Sequence, residues 1–304
     1  MKLNSKNVLY FNIFINNEVL YIIAPLYKNV NIDNMKLSVN DENIICKKIV
    51  KNRYEATQIL YAGIKKAAIY NIKIGYQSKQ KIFTLKENIE KKNKLVLTTL
   101  FKDDYNLINN FYDYYVKQGV EYFYLYYNGK LNDKIRKVCD KPNIKLIEWD
   151  FEYWNTDSKF SKHHAQIGQI HDAIYRYGKN YSDYMIFCDL DEYMYVKDKT
   201  LLQLIETNTN IESFGFCNKW SETIDKKIPE KFPNEFYTCP RIRFGHRSKC
   251  IHKIKNVEYI GIHYGFQKKK MNDFDLFHFY NWTKINRKVD CGKKELLKIL
   301  FDFQ

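Results

Sequence analysis

The first part of the chain alternates apolar and polar positions, whereas the rest mixes short apolar runs with helical patterns. In the first part, "NVLYFNIFI" and "VLYIIAPLY" flank the polar turn "NNE", a pattern that predicts a β-hairpin. "AAIYNIKIGY" and "KQKIFTL" place apolar residues with period two, as half-buried strands do. Residues 1–92 are therefore predicted to form a β-rich accessory domain. The charged stretch "KENIEKKNK" (86–94) is the predicted connector.

Residues 93–304 alternate predicted strands with predicted helices. "KLVLTTL", "EYFYLYY", "NIKLIEW" and "YMIFCDL" are continuous apolar runs, which are typical of strands covered on both faces. One helix is predicted to begin near Asp103 and to end in a cap at Gly119, and another covers residues 162–177 and ends at Gly178. The alternation predicts an α/β fold with a mostly parallel central sheet and helices on both faces. Ligands of such sheets bind at the carboxyl ends of the strands.

The stretch "YMIFCDLDEYMYV" (184–196) ends an apolar strand in three carboxylates. Asp189 and Asp191 are two positions apart, so both side chains can turn toward one point as the chain leaves the strand. Hard oxygen ligands at that spacing suit Mg²⁺ or Mn²⁺, which can neutralise a diphosphate leaving group. Glu192 is predicted to lie behind these ligands. The alternative is a solvated acidic turn, and the apolar strand that leads into the motif favours the metal site.

The flanking motifs resemble those of glycosyltransferase family 92 and of related family 2-like enzymes. "LTTLFKDDYNLINNFYDYYVKQGVEYFYLYYN" and "FCDLDEYMYV" carry the resemblance, and "RSKCIHKIKNVEYIGIHYGF" and "LFHFYNWTK" extend it over about residues 94–290. Asp104 stands where the family usually has Glu, and Tyr115 where it usually has His. Residues 102–104 correspond to the family's Lys-Asp/Asn-Glu motif, and residues 114–119 correspond to its Tyr-His-x-x-x-Gly motif. Residues 122–128 correspond to its aromatic strand, and residues 189–193 correspond to its Asp-x-Asp-Glu motif.

The resemblance implies a GT-A fold, in which the Asp-x-Asp motif holds Mn²⁺ or Mg²⁺ on a nucleotide-sugar. It also implies a UDP-sugar donor, transfer with inversion and a glycan or glycoprotein acceptor. By the same resemblance, the first strand–helix junction binds the nucleoside. Two carboxylates at a helix N-terminus would repel phosphate, so they suit ribose hydroxyls or a uracil N–H better, and one of them can instead cap the helix. The residues so assigned are Thr98, Lys102, Asp103 and Asp104.

A third metal ligand in this fold is often a histidine late in the chain. His263 in "IGIHYGF" is preferred to His278 in "LFHFYNW", because an apparent strand ends at His263. Each is a lone histidine in an apolar stretch, so a buried structural role is the alternative. Cations near a leaving group stabilise the transition state. His278, Lys249, Lys284 and Arg287 are therefore predicted to lie near the diphosphate or an acidic acceptor.

Inverting transfer needs a base that takes the proton of the acceptor hydroxyl, and this base is typically Asp or Glu. The stretch "NKWSETIDKK" follows the apolar run "SFGFC" and is predicted to form an acceptor loop. Glu222 and Asp225 in this stretch are the candidate bases. Trp220 is a candidate platform for stacking against a sugar, with core packing as the alternative.

Composition narrows the choice of partners only slightly. The 304 residues include 50 Lys plus Arg and 35 Asp plus Glu, for a formal net charge of +15. This charge favours anionic partners, although a solvated lysine-rich surface is the alternative. No basic aromatic stripe is visible, so nucleic acid is not expected. Two other functions stay open: a non-catalytic glycan-binding protein on a degenerate transferase fold, and a two-metal nucleotidyltransferase or nuclease.

The seven cysteines form no Cys-x-x-Cys pair. We therefore expect reduced thiols in a cytoplasm-like compartment, with neither a zinc site nor a disulfide framework, although relatives can be membrane-anchored in the secretory pathway. No apolar window is long enough to predict a transmembrane segment. The oligomeric state is not encoded in any of these patterns.

Overall fold

The computed structural model describes residues 2, 7–28, 35–50, 56–76, 78–156, 160–263, 269–283, 289 and 292–299. The chain forms two compact units. The first comprises Met1–Lys92 and Phe151–Tyr181, and the second comprises Asn93–Asp150 and Ser182–Gln304. The expected boundary after residue 92 is thus one limit between units. The segment 151–181, which we expected in the second domain, belongs to the first unit.

Twenty strands lie in the described residues. They are β1 (Asn12–Asn16), β2 (Val19–Tyr27), β3 (Met35–Val39), β4 (Glu42–Asn43), β5 (Lys47–Ile49), β6 (Thr57–Gly63), β7 (Tyr70–Tyr76), β8 (Lys79–Leu85), β9 (Asn93–Phe101), β10 (Tyr122–Tyr127), β11 (Ile144–Glu148), β12 (Trp154–Asn155), β13 (Ser161–His164), β14 (Ser182–Phe187), β15 (Glu192–Tyr195), β16 (Ser213–Thr223), β17 (Glu235–Thr238), β18 (Lys249–Lys253), β19 (Lys270–Phe279) and β20 (Glu295–Lys298).

The described helices are few and short. The α-helices are α1 (Ile108–Lys117), α2 (Asp133–Val138), α3 (Ala165–Ala173), α4 (Lys179–Tyr181), α5 (Leu201–Thr207) and α6 (Tyr280–Thr283). A 3₁₀ turn at Tyr105–Leu107 leads into α1, a second lies at Ile254–Asn256, and a π-helical turn at Ile174–Gly178 joins α3 to α4.

The first unit contains two antiparallel sheets. One has the order β12-β13-β2-β6-β5 with β1 paired to β2, and the other has the order β4-β3-β7-β8. Asn17 and Glu18 both have positive φ in the two-residue turn between β1 and β2, which is the turn that suits a tight hairpin. The predicted hairpin is therefore confirmed. The buried core of the unit draws on both sheets, with residues such as Ile22, Leu60, Leu37 and Ile72.

The helix predicted over residues 162–177 is shorter than expected. Residues Ser161–His164 form β13, because Ser161 pairs with Tyr27 of β2 and thereby joins this segment to the first unit. The helix begins only at Ala165. Gly178 does not end it, since the π-helical turn continues directly into α4. Long-range pairing has therefore overridden the local helical pattern.

The second unit contains a ten-stranded mixed sheet with the order β11-β10-β9-β14-β18-β16-β17-β20, in which β19 joins β16 and β15. The α/β class is confirmed, but the sheet is not mostly parallel. Only β11, β10, β9 and β14 form a continuous parallel block. Parallel neighbours need long crossover connections, usually helical, and the described helices after β14 are short. Most later strands consequently pair antiparallel.

Gly119 ends α1 as predicted. Its φ is 87°, and the N–H groups of Gly119 and Val120 donate to the carbonyls of Val116 and Tyr115, each at 3.0 Å. This pair of hydrogen bonds is the Schellman arrangement, which satisfies the last carbonyls of a helix. The position requires a left-handed backbone conformation, which glycine adopts without a steric penalty.

The stability of the second unit should fall in acid because of His252. This side chain of β18 is 1% exposed, and burial lowers its pKa to about 3. In the unfolded chain, His252 binds a proton near pH 6.5. Its contribution to the free energy of unfolding is therefore complete above that pH and is lost as the pH falls toward the pKa of the folded state. We expect His252→Gln to remove up to about 1.4 kcal/mol per pH unit from the slope of unfolding free energy between pH 6 and pH 4.

Urea unfolding at several pH values measures this slope. His246 is exposed, so His246→Gln is the matched control for the loss of one imidazole at the surface. Equal slopes for wild type and His252→Gln would contradict the prediction.

The cysteines depart from the sequence expectation at one position. Cys239 is disulfide-bonded, whereas the other described cysteines, Cys46, Cys139, Cys188, Cys217 and Cys250, are free. The expectation that all thiols are reduced is therefore wrong for Cys239. No helix within the described ranges combines the length and the apolar character that crossing a bilayer requires.

Candidate active site

The acidic residues of the sequence motifs converge because two strands are neighbours. β9 and β14 are adjacent and parallel, with Thr98 opposite Phe187, so the segments that follow their carboxyl ends leave the sheet at the same edge. Asp104 follows β9, and Asp189 and Asp191 follow β14. Burial raises the pKa of Asp104 to about 6, and the negative charges of Asp191 and Asp189 act in the same direction. The three carboxylates thus sense one another electrostatically.

Asp189 is held by a buried lysine. The Nζ of Lys249 lies 2.9 Å from Oδ2 of Asp189 and 3.2 Å from Oε2 of Glu192. The same glutamate oxygen accepts the backbone N–H of Asp189 at 2.8 Å. The side chains of Lys249 and Glu192 are 2% and 1% exposed, whereas that of Asp189 is 36% exposed. Glu192 therefore lies behind Asp189, and Asp189 is the member of this group that faces solvent.

Asp191 is held by a histidine from the far end of the chain. β15 pairs antiparallel with β19, so that Glu192 faces His278 across the sheet. Nε2 of His278 lies 3.3 Å from Oδ2 of Asp191, and Nδ1 lies 3.5 Å from Oε1 of Glu192 and 3.0 Å from Oδ1 of Asn218. His278 therefore bridges the two acidic residues and orients them.

The cluster carries an excess of negative charge. Burial raises the pKa of Glu192 to about 7, against the lowering effect of Lys249, and the charge of Asp189 raises it further. Carboxylates that are crowded in this way attract a cation, because a nearby positive charge favours their ionised forms. Asp189 lies at the exposed side of these carboxylates, so a divalent cation would reach them from that side.

Two tyrosines of α1 fix the strand behind the acidic motif. The hydroxyl of Tyr115 donates to the carbonyl of Glu192 at 2.9 Å and accepts the N–H of Met194 at 3.0 Å. The hydroxyl of Tyr114 donates to the carbonyl of Met194 at 2.7 Å. Both tyrosines are buried. Tyr115, which stands at the family's usual histidine position, is thus a structural anchor for β15 in this chain.

One face of β16 leads away from the cluster. Asn218, Trp220 and Glu222 are two positions apart along the strand, and alternate residues of a strand share a face. The ring of Trp220 lies 4.3 Å from that of His278, and the guanidinium of Arg247 lies 5.5 Å from the Trp220 ring centre. The predicted acceptor loop is therefore mostly strand. Its first residues pair with β19 and β17, which holds them extended.

The two candidate bases have different surroundings. Glu222 is mostly buried, and its carboxylate accepts a hydrogen bond from Lys294. Burial alone would raise its pKa, but the hydrogen bonds from Lys294 and Tyr280 hold the pKa below its usual value. Asp225 lies exposed in the turn after β16, and its carboxylate accepts the N–H of Lys227 at 3.0 Å. Glu222 is the base candidate that faces the same way as Trp220.

The residues predicted to bind the nucleoside are not equivalent. Thr98 is 1% exposed within β9, and its hydroxyl donates to the carbonyl of Tyr124 at 3.0 Å. Lys102 and Asp103 are exposed in the turn after β9. Asp104 is partly buried, and its carboxylate accepts the N–H of Lys102 at 3.1 Å. Of the four, Asp104 is the one that the charges of Asp189 and Asp191, the acidic pair, influence.

The residues near the motif have the chemistry that a divalent cation needs. In the described part of the chain, no three His, Cys, Asp or Glu side chains are already arranged around a metal position. The pKa of His263 is lowered to about 4, first by burial and then by Lys249, while Asp189 acts in the opposite direction. Its Nδ1 is buried and has no hydrogen-bond partner among the described residues. A neutral imidazole nitrogen and the two aspartates are suitable ligands for Mn²⁺ or Mg²⁺.

His263 does not end a strand, since residues 257–263 are irregular. Lys284 and Arg287 lie outside the described residues.

Sequence reasoning missed Asn218, Lys294, Tyr280 and Arg247, which contact His278, Glu222 or Trp220. One sequence signal pointed to Asn218: it stands two positions before Trp220, and alternate residues of a strand share a face. Their contacts otherwise depend on strand pairing, which the local pattern does not encode.

A comparison with solved structures finds the mannosyltransferase Ktr4p from S. cerevisiae in complex with GDP, at 11% identity and a TM-score of 0.25. The match covers 44% of this chain and 43% of that protein. The chain therefore spans less than half of that mannosyltransferase. No curated protein matches the chain significantly.

The family model of Glycosyltransferase family 92 matches residues 97–289, which is more than half of the chain. The matched region begins in β9 and ends beyond β19, so it contains Asp104, the acidic pair, Lys249 and His278. The resemblance predicted from the sequence is thereby confirmed. The chain belongs to glycosyltransferase family 92.

Proposed function

We propose that the protein transfers a sugar from a nucleotide-sugar, specifically a UDP-sugar, to a hydroxyl of a glycan or glycoconjugate, with inversion and with the help of Mn²⁺ or Mg²⁺. The observation that carries this proposal is the meeting of Asp104, Asp189 and Asp191 at the carboxyl ends of two adjacent parallel strands. Membership of the family supports the same chemistry. GT-A is the fold that the proposal assumes for the second unit.

In this proposal, different acidic residues bind different parts of the nucleotide-sugar donor. Asp189, Asp191 and His263 would hold the cation, which when bound neutralises the charge that develops on the diphosphate leaving group. Asp104 would accept hydrogen bonds from ribose hydroxyls, because its position after β9 is close to the pair but its charge disfavours direct contact with phosphate. Lys102, Asp103 and the neighbouring backbone would complete the nucleoside site.

The β16 face supplies the acceptor side in this proposal. Trp220 offers part of its ring to the sugar, next to the His278 contact. Glu222, which its hydrogen bonds keep ionised, takes the proton of the acceptor hydroxyl as that oxygen bonds to the anomeric carbon. The bond between the anomeric carbon and the diphosphate breaks in the same step. Glu222 is preferred to Asp225 because Asp225 is exposed and lies beyond the end of β16.

A screen of nucleotide-sugars with Mn²⁺ tests the proposal. We expect release of the nucleoside diphosphate from one donor class, loss of the release on addition of EDTA, and recovery when Mn²⁺ is restored in excess. Liberated nucleotide is quantified by chromatography, with a heat-inactivated sample as the blank. Undiminished turnover in EDTA would contradict metal dependence, and sugar binding with no turnover of any donor would favour a glycan-binding protein.

A further inference from the structure

The position of Lys249 follows from the order of the strands. β18 pairs antiparallel with β14, and their last pair is Cys250 with Phe187. One step further along each strand, Lys249 reaches the level at which the chain leaves β14 for the acidic motif. Its register partner in β16 is the apolar residue Phe216. The ammonium group of Lys249 therefore reaches the carboxylates of Asp189 and Glu192 from the buried side, within the sheet.

The burial of this ammonium group depends on its two partners. A buried unpaired charge is strongly unfavourable, whereas contacts at 2.9 Å and 3.2 Å with Asp189 and Glu192 compensate for the lost hydration. Removal of one member of such a set leaves the others uncompensated. The lysine is not placed to reach past the carboxylates to a phosphate, because its side chain is only 2% exposed and Asp189 lies on its solvent side.

The influence of Lys249 extends to both members of the acidic pair. Glu192 accepts the N–H of Asp189 and contacts His278, which in turn contacts Asp191. A single network therefore links the lysine to Asp189 directly and to Asp191 through two side chains. The positive charge sits where it can offset the repulsion among the carboxylates in the absence of any added ion.

We propose that Lys249 is a positioning residue, the internal counter-ion that holds the acidic pair in place in the metal-free protein, and that a divalent cation competes with it for Asp189. This inference rests on the proposed metal-dependent function. It revises the expected place of Lys249 beside the diphosphate. Its consequence is that the protein keeps an assembled site without metal, at the expense of weaker metal binding.

The test is Lys249→Met, which retains the length of the side chain and removes the charge. In EDTA we expect this variant to melt at a lower temperature than the wild type. Mn²⁺ should raise its melting temperature by more than that of the wild type, because the ion replaces the missing charge. Mn²⁺ affinity, measured by electron paramagnetic resonance of the free ion, should increase on the order of tenfold, since a repelling charge a few ångströms away is gone.

The double variant Lys249→Met with Glu192→Gln is the matched control. It removes the lysine together with one buried partner, so it should melt closer to the wild type in EDTA and still bind Mn²⁺ more tightly than the wild type. It also keeps the test decisive if the single variant does not fold. Mn²⁺ affinity equal to wild type in the variant that folds would overturn the inference alone. Absence of Mn²⁺ binding by the wild type and both variants would overturn the proposed metal dependence as well.

Discussion

Replacement of Asp191 by asparagine is expected to lower kcat/KM for transfer on the order of 10³-fold, while the protein stays folded. The substitution keeps the shape of the side chain but removes the charge that contacts His278 and that would bind the cation. Stabilisation of a leaving group by a metal is worth several kcal/mol, and each 1.36 kcal/mol is tenfold in rate. Nucleotide release from the donor found in the screen measures the loss.

Thermal melting gives a second readout that does not depend on the acceptor. Mn²⁺ with UDP should raise the melting temperature of the wild type and leave that of Asp191→Asn nearly unchanged. Asp140 is exposed after α2, so Asp140→Asn controls for the loss of one surface carboxylate and should behave like the wild type. Activity of Asp191→Asn within about tenfold of the wild type would refute the role of Asp191 as a metal ligand.

Replacement of Gly119 by alanine is expected to destabilise the second unit by about 3 kcal/mol. The new Cβ would lie 2.4 Å from Cβ of Leu202 in α5. Because the Cβ of Leu202 is attached to the backbone, the clash can be relieved only if α5 or the end of α1 shifts. The positive φ adds conformational strain. The N–H groups of Leu201 and Leu202 bond to Gln118, so a shift of α5 also disturbs the end of α1. Urea unfolding measures the change.

Gly245 separates the two causes of this destabilisation. It also has a positive φ, 97°, but a Cβ placed there would meet nothing within 4 Å. Gly245→Ala should therefore cost only the backbone strain, about 1 kcal/mol. Equal effects of the two substitutions would mean that the contact with Leu202 is relieved at little cost.

Much of the candidate site could be predicted from local sequence because its foundation is local. Apolar runs that end in carboxylates predicted β9 and β14 and placed Asp104, Asp189 and Asp191 at their carboxyl ends. The glycine after α1 predicted the helix cap. These features depend on residues within a few positions of one another, so a single pass along the chain detects them.

The remaining contacts could not be predicted because they depend on which strands pair. Lys249 and His278 reach the acidic motif from β18 and β19, and both strands lie far from β14 in sequence. Trp220 and Glu222 read as a loop because the segment is polar, yet pairing with β19 and β17 keeps it extended. His163 and His164 read as helical, but β13 pairs with β2 and β12. In each case a distant partner decides the local structure.

The pairing of β15 with β19 has a consequence for biosynthesis. As the chain emerges from the ribosome, the acidic motif appears long before the strand that carries His278. Contacts between segments so far apart in sequence form slowly, because closing a long loop costs entropy before the contact is made. The carboxylates are therefore synthesised before their imidazole partner, and a chain cut before β19 would retain the aspartates without the imidazole that orients them.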